Sequence, residues 1–166
     1  MTFGDAQGAN ALGLPPGEMV IPDIIIHSPT GEVRFVGEIK TSWTTDLGNL
    51  WSREERRFLA QVIRYMDVYG TLYGCASTYE QTVFLKRTGP RSFQVSPVIQ
   101  HGTPSQANPI KTSLRECFFA IATHVMEDQN WSYGGARVGP TLVSDIIFLE
   151  AEYSFSVNDN LYRQSQ

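Results

Sequence analysis

The stretch Met19 to Lys40, MVIPDIIIHSPTGEVRFVGEIK, decides the fold. Its first part, MVIPDIIIH, is β-branched and apolar and reads as a strand. Ser28-Pro29-Thr30-Gly31 is a turn signal. Glu32 to Lys40 then alternates: Val33, Phe35 and Ile39 point one way with Gly37 between them, and Glu32, Arg34, Val36, Glu38 and Lys40 point the other. Strand, turn and strand make a β-hairpin. With Thr30 and Gly31 as its central residues, Ile24 faces Gly37 and Ile26 faces Phe35, so one face is wholly apolar. A slip of one residue would scramble that sorting. The same register sets Asp23 opposite Glu38, with β-carbons about 4.5–5.5 Å apart. Lys40 follows two residues on, along the same face.

Two carboxylates opposed on a sheet destabilise it unless something neutralises them. A hard divalent cation does so, because Mg²⁺ favours one or two carboxylates together with waters and phosphate oxygens. The plainer reading is a surface hairpin in which Lys40 or Arg34 screens the two acids. A second element bears on the choice. From Leu50 to Tyr69 the spacing is helical, with Phe58, Leu59, Val62, Ile63 and Met66 as an apolar stripe and Gly70 as a C-terminal stop. On that helix Gln61 and Tyr65 are one turn apart on one face, and a helix that directly follows the hairpin can bring them to the carboxylates. The plainer reading here is an amphipathic helix whose Gln and Tyr border the core.

The rest of the chain supplies a sheet and a second helix. Asp46 is a candidate cap in the polar connection TSWTTDLG. Strands are expected over 72–77 and 81–86, with Thr78-Tyr79-Glu80 as the turn between them, and over 93–99. GTPSQANP reads as a loop. Ser113-Leu114-Arg115-Glu116 is a capping-box pattern that opens a helix to about Asp128, apolar on most sides and therefore expected to be largely buried. After a Gly-rich loop over 134–139, the stretch 142–150 reads as a last strand or a docking segment. Hairpin, helix, three strands and helix describe an α/β chain with a mixed sheet and helices packed on it.

Composition fits this picture. The 166 residues are 42% hydrophobic and 18% charged, which suits one globular domain. We expect a loosely packed lead-in over 1–17, a single domain over 18–157 and a frayed tail over 158–166. The opening MTFGDAQGANALGLPPGE has neither a basic nor a hydrophobic segment of a signal peptide, and no apolar run spans a bilayer. The expectation is an intracellular protein, nuclear or cytoplasmic, with no membrane partner. Cys75 and Cys117 lie far apart in apolar segments and read as buried thiols. His27, His101 and His124 share no metal-like spacing, so no zinc site is expected. P-loop, GxSxG, HExxH and dinucleotide fingerprints are absent from the sequence.

Net charge is −4, which counts against a nucleic-acid binder. The positive charge is clustered, however: Arg53, Arg56, Arg57 and Arg64 in one stretch, and Lys86, Arg87 and Arg91 in another. Arg53, Arg57 and Arg64 are candidate phosphate contacts, or else a solvated helix face. Trp43, Trp51, Tyr69 and Tyr73 could stack on bases, with Trp43 the candidate kept, though most of the four are expected in the core or at a sheet edge.

Pro22-Asp23, Gly37-Glu38-Ile39-Lys40 and Gln61-Val62-Ile63-Arg64-Tyr65, in this order, resemble the PD-(D/E)xK nuclease superfamily. Gln-x-x-x-Tyr looks like the additional motif of its RecB-like branch. The wider stretch, VGEIKTSW through RYMDVYGTLYGCASTYEQTVFLKR to SLRECFFAIA, is similar to uncharacterised fungal proteins of this type. The resemblance spans roughly residues 18 to 126 and implies a restriction-endonuclease-like mixed sheet with a hairpin active site, flanked by helices. It implies a metal-dependent nuclease, DNA favoured over RNA, using Mg²⁺ or Mn²⁺. Asp23, Glu38 and the backbone carbonyl of Ile39 would hold the metal. Lys40 would activate water and stabilise developing negative charge, and Gln61 and Tyr65 would orient Lys40, a water or a phosphate. Cutting both strands of a duplex would call for a homodimer. One departure is the lack of a helix before the Asp23 strand; either the C-terminal helix or a second subunit covers that side of the sheet. It leaves open a catalytically inactive nuclease-fold module that binds nucleic acid or a protein partner.

Overall fold

The computed structural model describes residues 2–3, 21–49, 52–107, 110–134 and 147–150. The hairpin is formed by β2 (Ile24–His27) and β3 (Val33–Ile39). Helix α1 (Arg53–Tyr69) follows, then β4 (Tyr73–Ser77), β5 (Gln81–Arg87), β6 (Ser92–Val95) and β7 (Ile99–Gln100). Helix α2 (Leu114–Glu127) comes next, and β10 (Ile147–Glu150) pairs parallel with β6. Thr2–Phe3 forms β1, an edge strand on β2. The order across the sheet is β1-β2-β3-β4-β5-β6-β10, with β7 on β5. β3 and β4 are parallel, joined by α1 as the crossover; β2/β3, β4/β5 and β5/β6 are antiparallel. This is a mixed open sheet between two helices.

Alternation along the strands sends side chains to two separate cores. Ile25, Val36, Ala76, Val83, Leu85, Phe93 and Val95 pack with Phe58, Leu59, Val62 and Met66 of α1. Ile26, Phe35, Tyr73, Cys75 and Phe84 pack on the other face with Cys117, Ile121, Ala122 and Val125 of α2. The C-terminal helix therefore covers the side of the sheet that α1 leaves bare. α1 lies close because β4 carries no side chain at Gly74, where a β-carbon would stand 3.0 Å from Val62 Cγ1 and 3.1 Å from Met66 Sδ.

The hairpin reaches the expected register by a different route. Ile24 pairs with Gly37, Ile25 with Val36 and Ile26 with Phe35, but His27 pairs with Val33. The turn closes one residue early: Gly31 N–H donates to Ser28 O and Ser28 N–H to Glu32 O, with Gly31 at φ 88°. A bulge at Arg34 restores the register before the site is reached. It also corrects two expected orientations. Val33 joins Val36 in the α1 core rather than siding with Phe35. Arg34 crosses to the α2 face, where its guanidinium donates to the carbonyls of Val125 and Met126 at the end of α2.

Other boundaries depart from expectation for local reasons. Asp46 accepts the N–H of Gly48, at the short 3-10 turn Leu47–Asn49, while Ser52, extended at φ −67° and ψ 160°, caps α1 by accepting from Glu55 N. Gly70, left-handed at φ 67°, ends the helix with its N–H on Met66 O. The strand expected over 93–99 is split, because the hydroxyl of Ser96 replaces a backbone acceptor for Phe84 N–H, and Pro97 has no N–H to continue the ladder. Within the GTPSQANP stretch, Gln106–Ala107 pairs with Ile110–Lys111 as a small ladder, β8 and β9. The Ser113/Glu116 capping box is present. α2 is less buried than its composition suggests, since Phe119 is exposed along with Arg115, His124 and Glu127.

Cys75 and Cys117 are buried free thiols, and burial pushes both above the ordinary thiol range. Residues 4–20, most of the lead-in, lie outside the described residues, as do 135–146 and the tail over 158–166. Among the described residues, no helix is long and apolar enough to cross a membrane.

Candidate active site

The chemistry-bearing residues gather at the carboxyl ends of the parallel pair β3 and β4, the end of a sheet at which α/β chains commonly place ligands. Parity puts Glu38 on the α1 face. There it is only 5% exposed, too buried for an uncompensated carboxylate. Three donors meet it. Lys40 Nζ and Gln61 Nε2 both donate to Oε1, Gln61 at 2.7 Å, and Tyr65 Oη donates to Oε2 at 2.9 Å. Gln61 Nε2 also donates to Tyr65 Oη at 2.7 Å, so both of its amide hydrogens are used and the three side chains form a closed ring.

This ring follows from local rules. Gln61 and Tyr65 share a helix face one turn apart, and the close approach of α1 at Gly74 sets them over β3. Burial pushes the Tyr65 phenol up to about 12, with Glu38 and Asp23 adding to the rise and Gln61 opposing it. At neutral pH Tyr65 is therefore a fixed hydrogen-bond donor and not a proton-releasing group.

Asp23 lies just before β2, and its carboxylate is exposed to solvent. Its Oδ2 accepts the backbone N–H of Ile39 at 2.9 Å, which ties the first strand across to the residue between Glu38 and Lys40. Lys40 N–H in turn donates to Ser77 O at 2.8 Å, which fixes the start of the following loop against β4. The Lys40 side chain is 37% exposed and runs beside the Phe58 ring, with its ammonium 6.0 Å from the ring centre. It thus touches the buried carboxylate and solvent together.

The structure brings Asp23, Glu38, Ile39, Lys40, Gln61 and Tyr65 into one neighbourhood. Arg53, Arg57 and Arg64 are exposed on α1, on the arc beside Gln61. Arg56 is half-buried, and Arg87 is not a surface charge at all. Arg87 is 2% exposed, ion-paired to Asp67 at 2.6 Å and enclosed by the Phe93 and Tyr133 rings. Its strand position on the α1 face turns it inward, which removes it from the second basic patch. Tyr73 is buried on the opposite face and Tyr69 borders the α1 core, so neither faces the site. Trp51 lies outside the described residues. Trp43 is exposed and stacks on Tyr79. Sequence reasoning missed Phe58 as a neighbour of Lys40 and Tyr79 as the stacking partner of Trp43. Only the parallel pairing of β3 with β4 places the turn after β4 beside the loop after β3, and no local pattern encodes that.

Asp23 and Glu38 carry carboxylate oxygens of the kind a hard cation takes. Among the described residues no group of three or more His, Cys, Asp or Glu side chains converges. Two carboxylates still suit Mg²⁺, which retains several waters. The pull of Glu38 on the Lys40 ammonium marks it as a cation-binding group. Comparison with protein-family models, curated proteins and solved structures found no match for this chain.

Proposed function

We propose that this chain is a metal-dependent phosphodiesterase acting on nucleic acid, DNA in preference to RNA, with a restriction-endonuclease-like hairpin at its centre. The observation that carries this reading is the buried Glu38 carboxylate, held by Lys40, Gln61 and Tyr65 beside the Asp23 strand. A sheet needs no such ring for stability. Placing a carboxylate in a near-dry position and supplying it with three donors fits a group that must hold one geometry.

In this reading Asp23, Glu38 and the Ile39 carbonyl would hold Mg²⁺ or Mn²⁺, which would supply positive charge to the scissile phosphate and to a bound water. Lys40 offers positive charge where the phosphorane-like transition state gains negative charge. Gln61 and Tyr65 position Glu38 and leave its carboxylate one orientation. Arg53, Arg57 and Arg64 contact phosphates. Cleavage of both strands of a duplex would need two copies, since one centre serves one strand.

The test is cleavage of single- and double-stranded DNA and RNA with Mg²⁺ or Mn²⁺, wild type against Lys40→Ala. Metal-dependent cutting lost in the variant supports the enzyme and names the substrate. A second reading, an inactive module that binds nucleic acid or a protein, is favoured by one observation: both oxygens of Glu38 are already engaged by side chains of this chain. Well-folded protein that neither cuts these substrates nor binds Mn²⁺ in a calorimeter would rule against the enzyme and favour that reading instead.

A further inference from the structure

Beyond Lys40 the same end of the sheet carries a feature that the hydrolytic groups do not use. Four large hydrophobic side chains stand exposed among the described residues, and three of them, Ile39 (41%), Trp43 (79%) and Tyr79 (66%), are at this end. The fourth, Phe119, is on α2. A cluster of this kind is more informative than scattered exposed apolar residues. Trp43 and Tyr79 lie nearly parallel, with ring planes at 22° and centres 6.4 Å apart.

Each ring sits on a turn tied by its own hydrogen bonds. Thr44 N–H and its hydroxyl both donate to Thr41 O around Trp43. Thr78 Oγ1 accepts the N–H groups of Glu80 and Gln81 around Tyr79. The Lys40 N–H bond to Ser77 O joins the bases of the two turns. The aromatic pair is therefore held out from the sheet at a set distance along the chain from Lys40.

Helix α1, which meets this end through Phe58 beside Lys40 and Glu55 on the Asp46 N–H, carries a basic arc. Arg53, Arg57 and Arg64 project from an arc of about 40° on α1 at ~100° per residue, next to Gln61. All three are exposed, and among the described residues none of them forms an ion pair. The acids flanking this arc are Asp67, which is paired with Arg87, and Glu54, whose carboxylate accepts from the Ser52 hydroxyl.

We propose that Trp43 and Tyr79 form a stacking platform for an unpaired base, so that the site takes single-stranded nucleic acid with its phosphates on Arg53 and Arg57. This inference rests on the phosphodiesterase reading above and specifies its substrate class. A ring face this exposed offers nothing to a duplex, whose base faces are already covered by their neighbours. To a single strand it offers stacking that tolerates any base. The arginine arc supplies the backbone contacts that stacking lacks.

The experiment is fluorescence anisotropy of a labelled 12-nucleotide single-stranded DNA with the whole chain in EDTA, so that no cutting occurs. The same strand as duplex, its RNA counterpart and versions with one abasic position are measured in parallel. We expect single strands to bind more tightly than duplex, Trp43→Ala to weaken single-strand binding on the order of ten-fold, and Tyr79→Ala to weaken it in the same direction. One abasic position should cost wild type a similar factor and cost Trp43→Ala nothing further. Equal binding by wild type and Trp43→Ala, equal binding of duplex, or no binding by folded wild type overturns the platform. The two readings fail separately. Cutting that needs Lys40 but ignores Trp43 leaves the enzyme without the platform, and Trp43-dependent binding without cutting leaves the platform without the enzyme.

Discussion

Gly37 and Cys75 face each other across the parallel strands so closely that a β-carbon at residue 37 would stand 2.5 Å from the Cys75 sulfur. The contact lies on the α2 side, directly behind Glu38. The Cys75 side chain fills the space over Gly37 that a β-carbon there would take. Gly37→Ala should cost about 1–3 kcal/mol through overpacking. Because the near atom belongs to a side chain, Cys75→Ala in the same chain should recover much of that loss. A double-mutant cycle by urea denaturation reads the coupling, and additive effects would show that the strain lies in the backbone.

Lys40 neutralises Glu38 in the metal-free chain, and it competes with any cation for the same oxygen. Lys40→Ala should therefore lower stability in EDTA by about 1–3 kcal/mol, leaving Glu38 with neutral donors alone. It should also bind Mn²⁺ more tightly than wild type does, while Glu38→Gln binds it less. Isothermal calorimetry on the three proteins decides this; weaker Mn²⁺ binding by Lys40→Ala would remove the competition argument.

Tyr65 gives the site a stability signature in alkali. Its phenol is raised from the ordinary value of 10.0 to about 12, first by burial and then by the hydrogen bond and charge of Glu38. Between those two values the unfolded chain loses this proton and the folded chain keeps it, so the unfolded state is favoured as pH rises. The Tyr65 contribution is complete below about pH 10 and is lost towards pH 12. Denaturation in EDTA at pH 9 to 11.5 should show a shallower alkaline decline for Tyr65→Phe than for wild type.

Arg87 anchors the opposite edge of the α1 core. Its guanidinium pairs with Asp67, donates to Gly89 O and Pro90 O, and stands 4.1 Å from the centre of the Tyr133 ring. Arg87→Met would leave a buried carboxylate without its cation, at about 3–5 kcal/mol. Adding Asp67→Asn should return part of that. Chemical denaturation of the two variants measures it.

The hairpin, α1 and the Gln61–Tyr65 pair were legible in the sequence because each rests on a short-range rule: alternation, a turn signal and one helical turn. The hairpin register came out right although the turn did not. The early closure at Gly31 and the bulge at Arg34 offset each other, and only the apolar sorting of Ile24, Ile26, Phe35 and Gly37 was strong enough to be read. Arg34 and Val33 were misplaced because a bulge has no sequence marker here. Arg87 was misread for a related reason: strand parity hides an arginine whose partner, Asp67, lies on another element. Tyr79 could not be found at all without the parallel β3–β4 pairing.

Every group of the site, from Asp23 to Tyr79, comes from one unbroken stretch of chain, whereas α2 arrives much later. A nascent chain that has emerged through β5 holds every residue of the candidate site and most of the α1 core, which β6 completes with Phe93 and Val95. Its other sheet face, with Ile26, Phe35, Tyr73, Cys75 and Phe84, waits for about 40 more residues, roughly 2–8 s of synthesis at 5–20 residues per second. During that interval a greasy sheet is open on one side. That window, rather than any weakness of the finished protein, is where chaperone demand and aggregation during translation should concentrate.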